Sequence, residues 1–299
     1  MIRVSAAVVS ALLLSAASGP TLAQTRPATA PTVAAPAAGL AADQWRTVAP
    51  ENLMVIDTTK GRILVELDPT MAPAHVERVQ TLTRRGFYDG IKFHRVISGF
   101  MAQTGDPQGT GQGGSDLPDL KAEFVFRRGR SGAFQPVVGG GDGYRGYYNG
   151  VPVQTQPDAQ MFVTADMKVP ASGLFCPSTL GMARAGSPDS ANSQFYLMTG
   201  RSDLLNGQYT AFGRIVGGLD VVKALKAGTE ENNGTVGEGA DVMTRVRLAD
   251  ALPEAERPSV RIQDPRSPSF VSRYEAARAA GGLTFNVCDV EVPVQVTGG

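Results

Sequence analysis

Residues 44–250 of this chain predict a mainly β domain, and three observations carry the prediction. Glycine (35) and proline (20) are abundant among the 299 residues, which demands many turns. Apolar and polar residues alternate with a period of two around residues 53–67 and 242–248. The helical stripes are short by comparison: Val76, Val79 and Leu82 in one place, Leu219, Val222 and Leu225 in another.

The amino terminus is expected to be an export signal over residues 1–23. Arg3 gives the positive start, residues 6–17 an apolar run, and Thr21-Leu22-Ala23 a small-residue cleavage site. That run is short for a bilayer, and no later stretch is long enough to span one. The expected location is therefore periplasmic or otherwise exported. Residues 24–43, rich in Ala, Pro and Thr, cannot bury enough surface to offset their ordering entropy and are expected to be a disordered linker. In an oxidising compartment the two cysteines, Cys176 and Cys288, favour a structural disulfide over two buried thiols. With His75 and His94 the only histidines, there are too few ligands for a metal site, and none is expected. Basic and acidic residues balance at 28 each, without a basic face, so no nucleic-acid partner is expected.

The first alternating segment reads as a β-hairpin: Leu53, Val55 and Asp57 on one face, Ile63, Val65 and Leu67 on another, Thr59-Lys60-Gly61 between. Pro73 suits the first turn of a helix that Gly86 stops. The turn Phe87-Tyr88-Asp89-Gly90 feeds a strand over residues 91–97. The glycine-rich run 105–115 reads as a flexible loop, because neither a helix start nor Lys-Ser/Thr follows to make a phosphate cradle. Residues 127–175 read as an inserted long loop, marked by glycines 139–141 and by Tyr144, Tyr147 and Tyr148, with short strands near 160–164. Its Asp142 and Asp158 are too few carboxylates for calcium. Strands at 194–198 and 211–216 follow, then a short helix after Gly217-Gly218. Val242, Thr244, Val246 and Leu248 read as the common face of a last strand that closes a barrel and removes its exposed edge. Residues 251–299 are an α/β extension: a helix at 269–280 with Ser272 and Glu275 spaced as a capping box, Gly281-Gly282 as its stop, then one or two strands over 283–296 carrying Cys288.

Two motifs carry chemistry. The first runs from Phe93 to Asp106 and contains Arg95, Phe100, Met101 and Gln103; the second is Ser193-Gln194-Phe195-Tyr196-Leu197. On extended chain Met101 and Gln103 face one side, and so do Gln194 and Tyr196, with Phe195 and Leu197 turned into the core. Alone, Arg95 reads as a snorkelling side chain or half of an ion pair; in this company it stands at a groove of amides and large apolar groups. Together the motifs resemble the active site of the cyclophilins, the barrel-shaped peptidyl-prolyl isomerases. The resemblance covers roughly residues 52–250 without the insert. It implies a closed antiparallel eight-stranded β-barrel with two capping helices.

Carried over residue by residue, the resemblance makes Arg95 the catalytic arginine and Gln103 the glutamine that meets the substrate amide. Phe100, Met101, Tyr196 and Leu205 match the proline pocket, with Tyr196 in place of the more usual Phe. Ala183 and Arg184 match the segment that pairs with the peptide backbone, and Gln194 joins the binding surface. Tyr209 stands where many members have His, and Leu204 where some have Trp. His94 keeps a structural place in the motif, whereas His75 reads as a solvated helix residue.

The chemistry suits such a site. Rotation about a prolyl peptide bond breaks amide resonance, a barrier of about 18–20 kcal/mol, and needs no nucleophile, metal or cofactor. A site that prefers the twisted amide, through an apolar grip on the ring and positioned donors, accelerates it. The expected function is isomerisation of Xaa-Pro bonds in unfolded or partly folded exported proteins by a monomer. The alternative is a non-catalytic module that holds proline-containing segments on the same barrel.

Overall fold

The structure is a computed structural model that describes residues 43–137 and 144–298. The expected export signal and all but the last residue of the expected linker lie outside the described residues, as does Asp142. After β1 (Trp45–Thr47), the predicted hairpin forms from β2 (Leu53–Thr58) and β3 (Gly61–Leu67), paired in register from Leu53↔Glu66 to Thr58↔Gly61. Helix α1 (Pro73–Arg84) starts on its proline and buries Val76, Val79 and Leu82; Gly86, at φ +69°, turns the chain away. Next come β4 (Arg95–Ile97) and β5 (Met101–Thr104). The insert supplies β6 (Phe126–Arg128), β7 (Phe134–Val137), β8 (Tyr144–Tyr148), β9 (Val151–Thr155) and β10 (Val169–Gly173). The domain ends with β11 (Thr179–Met182), β12 (Phe195–Met198), β13 (Ala211–Gly217), α2 (Leu219–Lys223) and β14 (Met243–Leu248), and the tail adds β15 (Ser259–Gln263), α3 (Pro268–Gly281) and β16 (Val294–Thr297).

Eight strands form one antiparallel sheet in the order β14-β2-β3-β13-β11-β12-β5-β4. It curls into an open half-barrel, not the closed barrel expected. The outer strands β14 and β4 share no ladder among the described residues. Only single bridges, Lys92↔Val242 and Arg95↔Thr235, and hydrogen bonds such as Phe93 N–H to the Asp241 carbonyl (2.9 Å) span the gap. The strand expected over 91–97 is regular only at its last three residues, Arg95–Ile97, and the ladder it forms there is to β5. In β14 a bulge between Met243 and Arg245 shifts the alternation, so Met243, Val246 and Leu248 are buried and Thr244 is exposed.

The insert is not a loop. It folds as a second sheet, β6-β10-β9-β8-β7, with Tyr147 and Tyr148 fully buried; in place of the short strands expected near 160–164, a 3-10 helix runs over Asp158–Val163. The tail also departs from expectation. Ser272 lies inside α3, whose N-cap is Ser267 without a side-chain bond, so the proposed capping box does not exist; Gly282 does end the helix, at φ +54°. Cys288 sits in a 3-10 turn, Val287–Asp289, rather than in a strand, and the tail's regular strands are β15 and β16, paired with β1 in a three-stranded sheet. Cys176 and Cys288 are joined by a disulfide, their Cα atoms 5.1 Å apart.

Three apolar clusters result among the described residues. One fills the concave side of the half-barrel, where α1 and α2 cap Met54, Ile56, Ile63, Val65 and Phe212. A second packs the tail (Val260, Ile262, Phe270, Tyr274) on the outward residues Leu53, Val55, Leu64 and Val216. The third unites the insert sheet with Met101, Phe175, Tyr196 and Met198, and it borders the candidate site.

Candidate active site

The site is built on three adjoining strands. Register pairs Arg95 with Gln103 across β4–β5 and Gln103 with Tyr196 across β5–β12. The strand period then places the polar groups in a row. Arg95 Nη1 donates to Gln103 Oε1 (3.4 Å), Gln103 Nε2 donates to Gln194 Oε1 (2.9 Å), and Gln194 Nε2 donates to the carbonyls of Gly111 (3.1 Å) and Gly113 (2.8 Å). Each amide is thereby oriented by the next. All three side chains remain half-buried, open to a ligand on one side.

A group that sequence reasoning missed fixes the guanidinium. Arg95 Nε donates to the Asn233 carbonyl (2.8 Å) and Nη2 to Asn233 Oδ1 (2.9 Å). Asn233 holds a left-handed conformation, φ +51°, which Asn tolerates better than most residues. The Asn233-Gly234 pair is a turn signal in the sequence, but nothing local says which side chain it will meet. Burial, only partly offset by Tyr209, lowers the Arg95 pKa from its usual value. An arginine still carries its charge at any relevant pH.

The glycine-rich loop is pinned rather than free. The Asp106 carboxylate accepts from the N–H groups of Gln108 (2.8 Å), Thr110 (2.8 Å) and Gly111 (2.7 Å). Burial alone raises the Asp106 pKa, but bonds from Gln108, Gly113, Thr110 and Gly111 outweigh it and hold the carboxyl at about 2. This loop, Ala183, Arg184 and Gln194 line a polar cavity of about 510 Å³ beside the amide row.

The apolar wall comprises Met101 and Tyr196, both buried, with Phe100, Ala183, Leu205 and Tyr209 half-buried against the same cluster. The Tyr196 ring packs on Phe175 (5.8 Å between centroids) and edge-on against Tyr209 (5.9 Å). Its hydroxyl is buried with no hydrogen-bond partner among the described residues. Space for that hydroxyl comes from Gly181, directly opposite in β11, where a Cβ would collide with Tyr196 Cζ and Oη. No sequence signal marks Gly181 or Phe175 as part of the wall. Arg184 stacks over Tyr209 at 4.5 Å and donates through Nε and Nη2 to the Gln208 carbonyl (3.1 and 3.0 Å), which braces the far wall. Leu204 points to solvent, 89% exposed, and so adds nothing to the pocket.

Both histidines are buried, and for His75 this corrects the solvated reading. Glu123 closes over the start of α1, accepting from the Ala74 N–H (3.2 Å), the His75 N–H (3.1 Å) and His75 Nδ1 (2.7 Å). Burial lowers the His75 pKa against the pull of Glu123, and burial lowers that of His94 as well. No group of three or more His, Cys, Asp or Glu side chains that could hold a metal ion exists among the described residues. No described helix is long and apolar enough to cross a membrane.

Known proteins resemble this chain over its folded domain. A protein of Brucella suis named "Probable peptidyl-prolyl cis-trans isomerase" is 36% identical over 198 residues, 62% of this chain and 78% of its own length. A "Peptidyl-prolyl cis-trans isomerase-like 1" of Gibberella zeae is 32% identical over 60% of this chain and 85% of that protein. The crystal structure of cyclophilin AquaCyp293 from Hirschia baltica is 35% identical, with a TM-score of 0.74, over 85% of this chain and 94% of that one. Residues 53–248 match the family described as cyclophilin type peptidyl-prolyl cis-trans isomerase/CLD. With most of the folded domain inside that match and both motifs brought together on one surface, this chain belongs to the cyclophilin type peptidyl-prolyl cis-trans isomerase family, whose members catalyse rotation about the prolyl peptide bond.

Proposed function

We propose that this chain isomerises Xaa-Pro bonds in exported, unfolded or partly folded client proteins and so assists their folding, with Arg95 and Gln103 as the catalytic pair. One observation carries the assignment of the site: a guanidinium fixed at Nε and Nη2 by Asn233 stands in a row with two oriented amides, next to an apolar wall of Phe100, Met101, Tyr196 and Leu205. The substrate proline packs against that wall. When the amide twists, its nitrogen loses conjugation and becomes an acceptor, and Arg95 stabilises that state over either planar form. Gln103, held by Gln194, donates to the substrate carbonyl. Ala183 and Arg184 meet the peptide backbone, and Tyr209 closes the far end. No cofactor enters the scheme. The export role rests on the leader-like residues 1–23 and on the Cys176–Cys288 bond, which suits an oxidising compartment. We read the working unit as a monomer.

A protease-coupled assay on a short Xaa-Pro peptide tests this. Wild type accelerates exchange, and Arg95→Ala loses about 100- to 1,000-fold in kcat/KM, the usual cost of one transition-state donor, with little change in Tm. A wild-type rate equal to buffer, together with measurable peptide binding, would favour the non-catalytic binding module instead.

A further inference from the structure

We propose that Phe175 and the Cys176–Cys288 disulfide are positioning elements of the proline pocket, so that the carboxy-terminal tail sets the geometry of one pocket wall. This rests on the Phe100–Tyr196 groove being the peptide site. Four observations converge on Phe175. Its side chain is buried, 1% exposed, and its ring packs on Tyr196. Its N–H donates to Asn206 Oδ1 (2.8 Å), and its carbonyl accepts from the Ser202 N–H (2.9 Å). Ser202 and Asn206 flank the 3-10 turn Asp203–Leu205, which carries the wall residue Leu205. A single residue therefore holds both ends of the wall turn and the ring behind the pocket.

The next residue is Cys176, and its sulfur leads to the tail. The far end of that bond is held firmly. Asn286 and Asp289 cap the turn around Cys288 reciprocally, with Cys288 N–H to Asn286 Oδ1 (3.0 Å) and Asn286 N–H to Asp289 Oδ2 (2.8 Å). Tyr147 of the insert donates its hydroxyl to the Val287 carbonyl (2.8 Å), and Val287 and Val290 are buried on either side. The disulfide thus joins two fixed pieces and transmits the position of one to the other. A plain covalent staple would raise stability without touching substrate affinity. A positioning bond must also move KM, because the wall turn Asp203–Leu205 that it holds grips the ring, whereas Arg95 and Gln103 belong to β4 and β5.

Both half-cystines line a cleft of about 260 Å³ between the tail and β13; Cys176 is buried, and Cys288, half-buried, is the sulfur a small dithiol would attack. Dithiothreitol passes two electrons and two protons to the bond, leaving two thiols, and itself closes to the cyclic disulfide. Upon such reduction we expect KM for an Xaa-Pro peptide to rise about tenfold, as displacements near 1 Å commonly cost that or more, with kcat within about twofold. Amide exchange over residues 199–209 should quicken, and reoxidation should restore both. The variant Phe175→Leu, with its disulfide intact, should raise KM likewise, which keeps the test decisive if the reduced protein unfolds. An unchanged KM in Phe175→Leu, or unchanged exchange over 199–209 with both thiols shown free by alkylation, overturns the proposal. If the oxidised protein shows no turnover, the isomerase reading fails instead, and peptide affinity with the same exchange measurement still decides this one.

Discussion

Gly181→Ala probes the wall most directly. Gly181 lies opposite Tyr196 in the β11–β12 ladder, and a Cβ there would stand 2.6 Å from Phe175 Cε1 and closer still to Tyr196 Cζ and Oη. Carbon atoms pack at about 3.5–4.0 Å, so the overlap is about 0.9 Å against Phe175 and more against Tyr196. Neither ring can yield inward, since Phe175 and Tyr196 are both buried in one cluster with Met101 and Met198. The compliant direction for Tyr196 is outward, over the groove. Overpacking of this kind costs about 1–3 kcal/mol. At about 2–4 °C per kcal/mol for a domain of this size, Tm should fall by several degrees. The displaced ring should also occupy the place of the substrate proline and lower kcat/KM by about tenfold or more. Differential scanning calorimetry and the protease-coupled assay measure the two effects. If Gly181→Ala melts and turns over like wild type, the wall does not have the shape described, and the account of why this chain carries tyrosine at 196 is wrong.

Asn233→Gly removes the Oδ1 acceptor of Arg95 but keeps a residue at ease at φ +51°; kcat/KM should fall about tenfold with a near-native Tm, and an unchanged kcat/KM would show that the carbonyl bond alone orients the guanidinium. The two histidines should titrate below their usual 6.5, because burial disfavours the imidazolium at both. The unfolded chain then binds more protons than the folded one below about pH 6.5, so their contribution to stability is complete above that pH and is lost as pH falls through the folded values. Imidazole proton NMR titration reads this directly, and a midpoint at or above 6.5 for either residue would contradict it.

The hairpin, the first helix and the two motifs were legible because each depends on near neighbours: turn residues between alternating segments, a proline at a helix start, and a strand period that fixes which side chains share a face. The insert was not legible. Pro136, Pro152 and Pro170 lie within its strands, and glycines 146 and 173 lower their propensity further, so the segment reads as loop. It forms a sheet because Tyr148, Val151, Val153 and Ala171 find a surface on the half-barrel, which is a tertiary effect. His75 was misread for a related reason: Glu123, nearly fifty residues on, covers it. In the site, the amide row follows from strand period, whereas Asn233, Gly181 and Phe175 arrive from distant segments and leave no local trace.

The same two-sided burial explains why the tail belongs to the domain. In β2 the sequence Leu-Met-Val-Ile is buried throughout, Met54 and Ile56 toward the concave core, Leu53 and Val55 toward the tail. Leu64 on β3 and Val216 on β13 extend that outward apolar face. A half-barrel of this sequence without cover would present a continuous apolar stripe to water, each large side chain forfeiting about 1.5–3 kcal/mol of burial. Total stabilities run to only about 5–15 kcal/mol, so this covered face is a large share of what holds the sheet together. The insert stands in the same relation to the site. Its sheet packs behind Met101 and Tyr196, and its Tyr147 bonds to the tail beside Cys288. Insert, tail and disulfide therefore form a continuous support on the outward face of the sheet, and Gln103, paired with Tyr196, stands on that same face at the border of the cluster the insert covers.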